Sequence, residues 1–434
     1  MMKKVLVIMG NHSPMPSSVA NCMQPLIERL CDEGWHVDIV TDRKSMDVAQ
    51  YEQSNNADIY RIDDSRTIAI ILLNQLKKVQ LPAFLRAIVK IFANLLKALI
   101  YAMYHFRGME KEFSGWNEKE IVSHCLKLDE IQHYDAILSI SLPFKPHLIA
   151  EELKKQMQRA IKWFVFEFDP YTFNETTTFS KRRKARLLEQ ETSVFQNCDH
   201  LFLTPELYKF YEKTPLKKYL DKATAIFFAN MKENIYPDSV TEKIEFQTSC
   251  INALFAGRVY EDIRNPRYTL EVFSRMDDNI RLSLLTNLDN FADLHVQKNI
   301  DRYCEKLAIY KFQPRDVTLM ALKEADILVN IGNTVVSQVP GKIFEYMATG
   351  KPIIHFAKRH DDPAIFYLNH YPMVLIVCEW EEKMERDVLE VAQFCVEHSG
   401  KKLTYEEVCQ HLQPFTSEKI ATSFMETFCD VLRK

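Results

Sequence analysis

A proline, a glycine and two apolar runs decide the first piece of this fold. The segment PGKIFEYMATGK runs from Pro340 to Lys351. Proline is favoured at the first position of a helix and glycine at the residue that closes one. The segment therefore reads as a short helix opening at Pro340 and closed by Gly350. The run before it, Ala325 to Asn330, and the run after it, Pro352 to Phe356, read as buried strands. Strand, loop, helix and strand make the unit of a parallel sheet, and such sheets bind ligands at the carboxyl ends of their strands. Unpaired N–H groups at the helix start, near Pro340 and Gly341, suit an anion. Glu345 lies one turn further in on the same face. A carboxylate there accepts two hydrogen bonds from a diol. Phosphate at the helix start and diol one turn deeper describe a nucleotide lying along the helix.

The rest of the chain alternates in the same way. Val5–Met9 and His36–Val40 read as strands flanking an amphipathic stretch from Ser17 to Glu33. Asp135–Ile140, Lys162–Phe166 and His200–Thr204 follow, with helical patterns between them. This argues for a mostly parallel, doubly wound sheet. The polar stretch Met231–Ser249 reads as a linker. The pattern then restarts with Ile251–Gly257 and Arg281–Leu285, and Ser417–Leu432 reads as a final amphipathic helix. At 434 residues and 47% apolar, the chain suits two or three ordinary domains. The N-terminal MMKKVLVIMG mimics a signal peptide, but its apolar run is too short, and a first strand fits better.

Several classes are excluded. A net charge of −4 gives no reason to expect a nucleic-acid partner. The ten cysteines form no C-x-x-C and read as reduced thiols, neither a zinc site nor a disulfide framework. Neither G-x-G-x-x-G nor a P-loop occurs among the nine glycines. No Asp-x-Asp occurs, Glu167-Phe168-Asp169 coming nearest, so no bound metal is expected and no resident cofactor.

The Pro340 segment resembles the donor-binding motif of GT-B glycosyltransferases, in particular glycosyltransferase family four. It is similar to a branch that reads P-S/G-K-x-x-E-Y-M-A-x-G-K-P, found among bacterial polysaccharide enzymes. The resemblance implies transfer of a sugar from a nucleotide-sugar donor with retention of anomeric configuration. It implies that Glu345 binds the nucleotide ribose. Many members carry a second glutamate near the sugar, where this chain has Ser337. The resemblance also implies the fold: two Rossmann-like doubly wound α/β domains facing a cleft, with the C-terminal helix returning to the first. The expected domains are 1–230, with a helical insertion at about 66–130, then 231–416 as the nucleotide-sugar domain, then the helix 417–434. Asn11–Ser18 matches the acceptor-side loop, and Asn230 matches an asparagine that often starts the second domain.

Retaining transfer must stabilise a leaving diphosphate and an oxocarbenium-like sugar, and must position an acceptor hydroxyl. FAGRVYEDIRNP supplies Arg258 and Arg264 after a strand end, and arginine's rigid fork of donors suits phosphate oxygens. The resemblance implies the same for Arg258; Arg264 is one residue displaced from the family's usual lysine. Lys342 can reach a phosphate or pair with Glu345, and both readings stand. Ser337, Gln338 and Val339 would act through backbone N–H groups. Asp169, in a stretch that resembles the family's D-P-W, either faces the acceptor and the developing positive charge or opens an ordinary Asp-Pro turn. His147 also follows a strand end, and a lone histidine there is more often structural.

Leu81–Phe106 is about 26 residues long and mostly apolar, the length of a spanning helix. Arg86, Lys90, Asn94, Lys97 and Tyr101 make one polar stripe on it. Charges on that stripe favour a helix lying in the interface of an anionic membrane over one that crosses it. A core helix or a dimer contact is the competing reading. A basic run, Ser180–Arg186, begins another expected helix. The reading is a cytoplasmic enzyme, peripheral on the inner membrane face, whose acceptor is a saccharide or lipid-linked saccharide. The rivals are a non-catalytic partner that keeps the fold, a nucleotide-sugar epimerase, and a membrane-binding scaffold.

Overall fold

The computed structural model describes residues 2–434 except 11, 13–17, 44–47, 55–56, 64–81, 83, 86, 90, 93–94, 96–98, 100–117, 176–178, 228–230, 241, 289–295, 297–301 and 303–304. The chain divides into two compact units, Met1–Ala229 with Ile420–Lys434, and Asn230–Lys419. Asn11, Ser17, Asn230 and the polar stripe Arg86, Lys90, Asn94, Lys97 and Tyr101 fall outside the described residues.

The first unit holds an eight-stranded sheet. Its strands are β1 (Lys4–Met9), β2 (His36–Asp42), β3 (Tyr51–Ser54), β4 (Ala57–Ile62), β5 (Ala136–Ile140), β6 (Lys162–Glu167), β7 (His200–Leu203) and β8 (Ala223–Ala225). They lie in the order β3-β4-β2-β1-β5-β6-β7-β8. Only the edge pair β3–β4 is antiparallel. Helices α1 (Ser18–Asp32), α2 (Glu118–Gln132), α3 (Lys145–Gln156), α4 (Lys181–Asn197) and α5 (Pro205–Tyr211) make the connections. Parallel strands covered on both faces read as unbroken apolar runs, and β1 alternates its side chains between two cores. Val5, Val7 and Met9 join α1 on one face, while Leu6 and Ile8 join α2 and α3 on the other. Strand order turns round at β1, and Gly10 at its exit lets the next loop approach. A Cβ there would sit 2.1 Å from Pro143 Cδ.

The second unit is a six-stranded, wholly parallel sheet: β9 (Ile251–Ala256), β10 (Ile280–Leu285), β11 (Leu307–Tyr310), β12 (Ile327–Ile331), β13 (Ile353–Ala357) and β14 (Val374–Cys378). The order is β11-β10-β9-β12-β13-β14. Counted within the unit this is 3-2-1-4-5-6, the dinucleotide-binding order, whose reversal falls between β9 and β12. Its helices are α6 (Arg267–Ser274), α7 (Arg315–Glu324), α8 (Lys342–Ala348), α9 (Ala364–Leu368), α10 (Met384–His398) and α11 (Tyr405–His411). The last helix, α12 (Ser417–Arg433), carries Phe424 and Phe428 into the core of the first unit. The Phe428 ring lies tilted 4.3 Å from Phe164, and Phe424 lies 4.8 Å from Phe202.

The strands read from the sequence are present; β3, β4, β8, β11 and β14 are additions to that reading. One expectation needs correction. Helix α8 starts at Lys342, not Pro340. The Pro340 carbonyl accepts from Ile343 N–H at 3.1 Å, a tight i to i+3 turn, so Gly341 becomes the N-cap and proline stays outside. At the other end Gly350 has φ +73°, and an added Cβ would lie 2.0 Å from the Leu403 carbonyl oxygen. Among the described residues no helix is long and apolar enough to cross a membrane. Gly350→Ala is expected to cost about 2 kcal/mol or more, from left-handed strain and from the displaced Leu403 backbone. The shift of the urea midpoint measures it.

Candidate functional site

The candidate residues of the second unit sit at the carboxyl ends of β9 and β12, where the strand order reverses. Strand β9 ends at Ala256, and the loop after it begins with Gly257 and Arg258 and runs on to Arg264. That loop is tied across itself by Tyr260 and Arg264, whose backbone groups exchange hydrogen bonds of 3.2 and 3.0 Å. It is also stitched to the exit of β12. Thr334 N–H donates to the Ile263 carbonyl at 2.9 Å, and its hydroxyl donates to the Asp262 carbonyl at 3.1 Å.

Arg264 is the fixed cation of this loop. Its Nε and Nη2 both donate to Asn333 Oδ1, at 3.0 and 2.8 Å, and Nη1 donates to the Arg258 carbonyl at 3.2 Å. All three hydrogen bonds go to neutral acceptors, and among the described residues no carboxylate forms an ion pair with this guanidinium. Burial pulls its pKa below the ordinary arginine value. The Asp362 carboxylate acts on this cation only at a distance, so a partly buried guanidinium held directly by neutral dipoles has room for an anion in contact. Arg258 is exposed, with its guanidinium 5.7 Å from the centroid of the Phe312 ring.

Helix α8 is anchored to the same strand end by Tyr346. The Ala256 N–H donates to the Tyr346 hydroxyl at 2.8 Å, and the hydroxyl donates to the Ala256 carbonyl at 3.3 Å. The preceding residue, Glu345, is 7% exposed. Its carboxylate takes Lys342 Nζ at 2.6 Å and pairs with the Arg315 guanidinium from the start of α7. Burial alone would raise its pKa; Lys342 and Arg315 outweigh that and hold it below the usual carboxylate value. The carboxylate is therefore ionised and an acceptor only, as diol binding requires. Asn234 Nδ2 donates to the Glu345 carbonyl at 3.3 Å. Ser337 is buried, while Gln338, Val339 and Gly341 are half-buried in the loop before α8.

A second network braces the β12 and β13 ends. Asn330 Nδ2 lies 2.7 Å from His355 Nδ1, and His355 Nε2 lies 3.2 Å from Asp362 Oδ2. Gly332 passes so close that an added Cβ would lie 2.2 Å from Asp362 Oδ2. Only glycine fits between these groups.

In the first unit, Asp169 is half-buried in the loop after β6. The loop is clamped by buried Glu191, which accepts from Thr172 N–H at 3.0 Å and from the Tyr211 hydroxyl at 2.5 Å. Phe168 N–H donates to Ser141 Oγ at 3.0 Å, and Tyr171 stacks on Phe144 at 4.0 Å. Glu167 is fully buried, and burial beside Glu191 raises its pKa well above the carboxylate range. His147 is a core residue: it is fully buried, with Nδ1 2.8 Å from Ser139 Oγ, which also takes Trp163 Nε1 at 2.8 Å. The basic run opens α4, capped by Ser180, and most of its cations are exposed.

The structure thus gathers Arg258, Arg264, the 337–341 loop, Lys342 and Glu345 around one end of the second sheet. Asp169 belongs to the first unit. Sequence reasoning missed Asn333, Arg315, Tyr346 and Asn234. Tyr346 lay inside the motif and Asn333 directly after a strand, so both had a local signal; Arg315 and Asn234 had none.

No protein-family model and no curated protein matches the sequence. Solved structures do match. A sucrose-phosphate synthase from Thermosynechococcus elongatus aligns over 99% of each chain with a TM-score of 0.65 at 14% identity. A trehalose-6-phosphate structure from E. coli, bound with UDP-2-fluoro glucose, aligns over 100% of this chain and 99% of that one, with a TM-score of 0.61 at 10% identity. Anabaena HepE in complex with UDP-glucose aligns over 98% and 99%, with a TM-score of 0.54 at 11% identity. This chain has the GT-B fold. The likeness runs through both units and so accounts for two doubly wound sheets in one chain.

His147 yields a pH prediction. Burial pushes its pKa down from 6.5 to about 3, so the folded protein keeps it neutral while the unfolded chain protonates it below pH 6.5. Its contribution is whole above pH 6.5 and is lost as pH falls toward 3, at roughly 1.4 kcal/mol per pH unit. His147→Asn should flatten that part of the stability profile, read by denaturant melts across pH.

Proposed function

We propose that this protein is a retaining glycosyltransferase of family four type, moving a sugar from a nucleotide-sugar to a saccharide or lipid-linked saccharide acceptor in surface-polysaccharide assembly. The observation that carries the reading is Arg264: a guanidinium fixed at the switch point of a 3-2-1-4-5-6 sheet, hydrogen-bonded among the described residues to neutral acceptors. A donor diphosphate would supply the anionic partner in direct contact. Arg258 and the backbone N–H groups of 337–341 add to it, so the leaving group is neutralised without a metal. Glu345, ionised and braced by Lys342 and Arg315, holds the ribose diol. Asp169 serves the acceptor side. UDP-sugars in the trehalose-6-phosphate and HepE structures lend support to a nucleotide-sugar donor here.

The test is thermal stabilisation by a panel of nucleoside diphosphates and the matching nucleosides. A ligand at 100 times its dissociation constant adds about 2.7 kcal/mol. We expect one diphosphate to shift the wild type. Glu345→Ala should lose the response to nucleoside and diphosphate alike, and Arg264→Gln only the extra gained from the phosphates. Release of nucleotide from the matching nucleotide-sugar should then require an acceptor, with the product anomer retained. Release without acceptor would favour the epimerase, and no shift with any nucleotide in a folded sample would leave the non-catalytic partner standing.

The enzyme would work on the cytoplasmic face of an anionic membrane. Within the expected insertion the described helical residues Phe84, Ile88, Ile91, Phe92, Leu95 and Leu99 are all exposed, at spacings that place them on one helix face. The sequence interleaves Arg86, Lys90 and Lys97 with them. By sequence spacing these cations fall on the side opposite the apolar face, and a helix so divided suits the boundary between headgroups and acyl chains. Co-sedimentation with vesicles containing phosphatidylserine should fall several-fold in an Ile88→Asp/Phe92→Asp double variant. Equal binding by both proteins, or none by either, would remove the membrane from the proposal.

A further inference from the structure

A polar cluster interrupts the apolar face of the first sheet, far along the strands from the ends that carry Asp169 and the acceptor-side loop. His36 opens β2, Asp38 lies two residues on, and Asp58 is the second residue of β4. Residues two apart on a strand share a face, and Asp38 and Asp58 are direct register partners across the β2–β4 pair. Two carboxylates are thus opposed on neighbouring strands, where like charges repel. Asp38 is fully buried and Asp58 is 7% exposed. Among the described ion pairs, both close only on His36: its Nε2 lies 3.0 Å from Asp38 Oδ1 and 3.3 Å from Asp58 Oδ2.

The outer oxygens are occupied separately. The Tyr51 hydroxyl donates to Asp58 Oδ1 at 2.7 Å, and the Tyr134 hydroxyl donates to Asp38 Oδ2. Each carboxylate therefore has one oxygen capped by a phenol and the other turned inward to a common point with the imidazole. The three inward atoms lie within 4.8 Å of one another. Zinc bonds of about 2.0–2.1 Å in a tetrahedron give ligand separations of roughly 3.3 Å; the two histidine separations already match, and the two carboxylate oxygens, within 4.8 Å of each other, would close onto the ion by side-chain rotation. Ligating carboxylates braced by hydrogen bonds on their far oxygens are the usual support of such a site. Charge points the same way. Even a protonated His36 leaves the trio at net −1, and a divalent ion with neutral His36 brings it to zero.

We propose that His36 Nε2, Asp38 Oδ1 and Asp58 Oδ2 bind one divalent transition-metal ion of the zinc class. An imidazole beside two carboxylates suits such an ion better than magnesium or calcium, which take all-oxygen shells. His36 keeps 15% side-chain exposure, which gives the ion a way in and leaves its fourth position to water. The ion ties β4, and with it the edge strand β3 through Tyr51, to the centre of the sheet. Its role is structural and independent of sugar transfer, so the metal-free chemistry proposed above is unaffected.

The experiment uses the full chain, stripped with chelator and titrated with cobalt(II) and with zinc(II). The expected result is one equivalent of cobalt with a visible absorption band of a four- or five-coordinate site, displaced by zinc. A rise in melting temperature should come with zinc and not with magnesium. Asp58→Asn, which keeps shape, and His36→Ala should each lose the band and weaken binding at least tenfold. If His36→Ala does not fold, the wild type and Asp58→Asn decide. No cobalt band in the wild type, or an undiminished band in Asp58→Asn, would overturn the proposal and leave the trio as a hydrogen-bonded ion pair. Nucleotide binding by the same samples is read separately, so failure of one reading does not mimic failure of the other.

Discussion

A parallel strand cannot be joined to its neighbour by a tight turn; the chain must cross back over one face of the sheet, and it does so with one hand. That constraint shapes the second unit. From β9 the chain winds outward through β10 and β11, then returns to lay β12 against the other side of β9. The loops leaving β9 and β12 then turn to opposite faces, and a gap opens above those two strands. Everything with chemical promise in the unit stands round that gap: the Arg258–Arg264 loop, the Gly332–Asn333 exit and helix α8. Tyr346 makes the arrangement rigid, because one hydroxyl meets both backbone groups of Ala256.

The electrostatics of the gap are asymmetric. Glu345 is matched in advance by two cations, whereas Arg264 rests on an amide oxygen and a carbonyl. The two groups are thus balanced differently: Glu345 by direct ion pairs, Arg264 by neutral acceptors with the Asp362 carboxylate acting on it from a distance. Net charge says little about a local site. The same lesson applies in the first unit, where two aspartates meet on adjacent strands with only a histidine between them.

The sheets were legible because their strands are short unbroken apolar runs between polar stretches, and β1, β5, β6, β9, β12 and β13 all have that form. The edge strands were not. β3 (YEQS) and β8 (ATA) are short and offer little apolar side chain, whereas β11 (LAIY) and β14 (VLIVC) are apolar runs that the reading did not assign. Glu345 and Arg258 stood out through their motifs. Arg315 did not, because a salt bridge between residues thirty apart leaves no local trace. Helix α8 was misplaced by two residues because proline preference fixes a neighbourhood, while the hydrogen bond to the Pro340 carbonyl fixes the start. The His36–Asp38 pair is visible as an alternating strand pattern, but Asp58 joins it only through the β2–β4 register.

The last helix has a consequence in time. Phe424 and Phe428 fill the same core as Phe164, Phe166 and Phe202. The unit whose strands are made first is thus completed by residues made last. While the chain is being synthesised, the second unit emerges whole and can close on its own. The first must wait with the part of one sheet face that α12 covers, next to α1, still open. Order of synthesis and order of completion are therefore reversed in this protein, and the early, open sheet is the species a chaperone would meet.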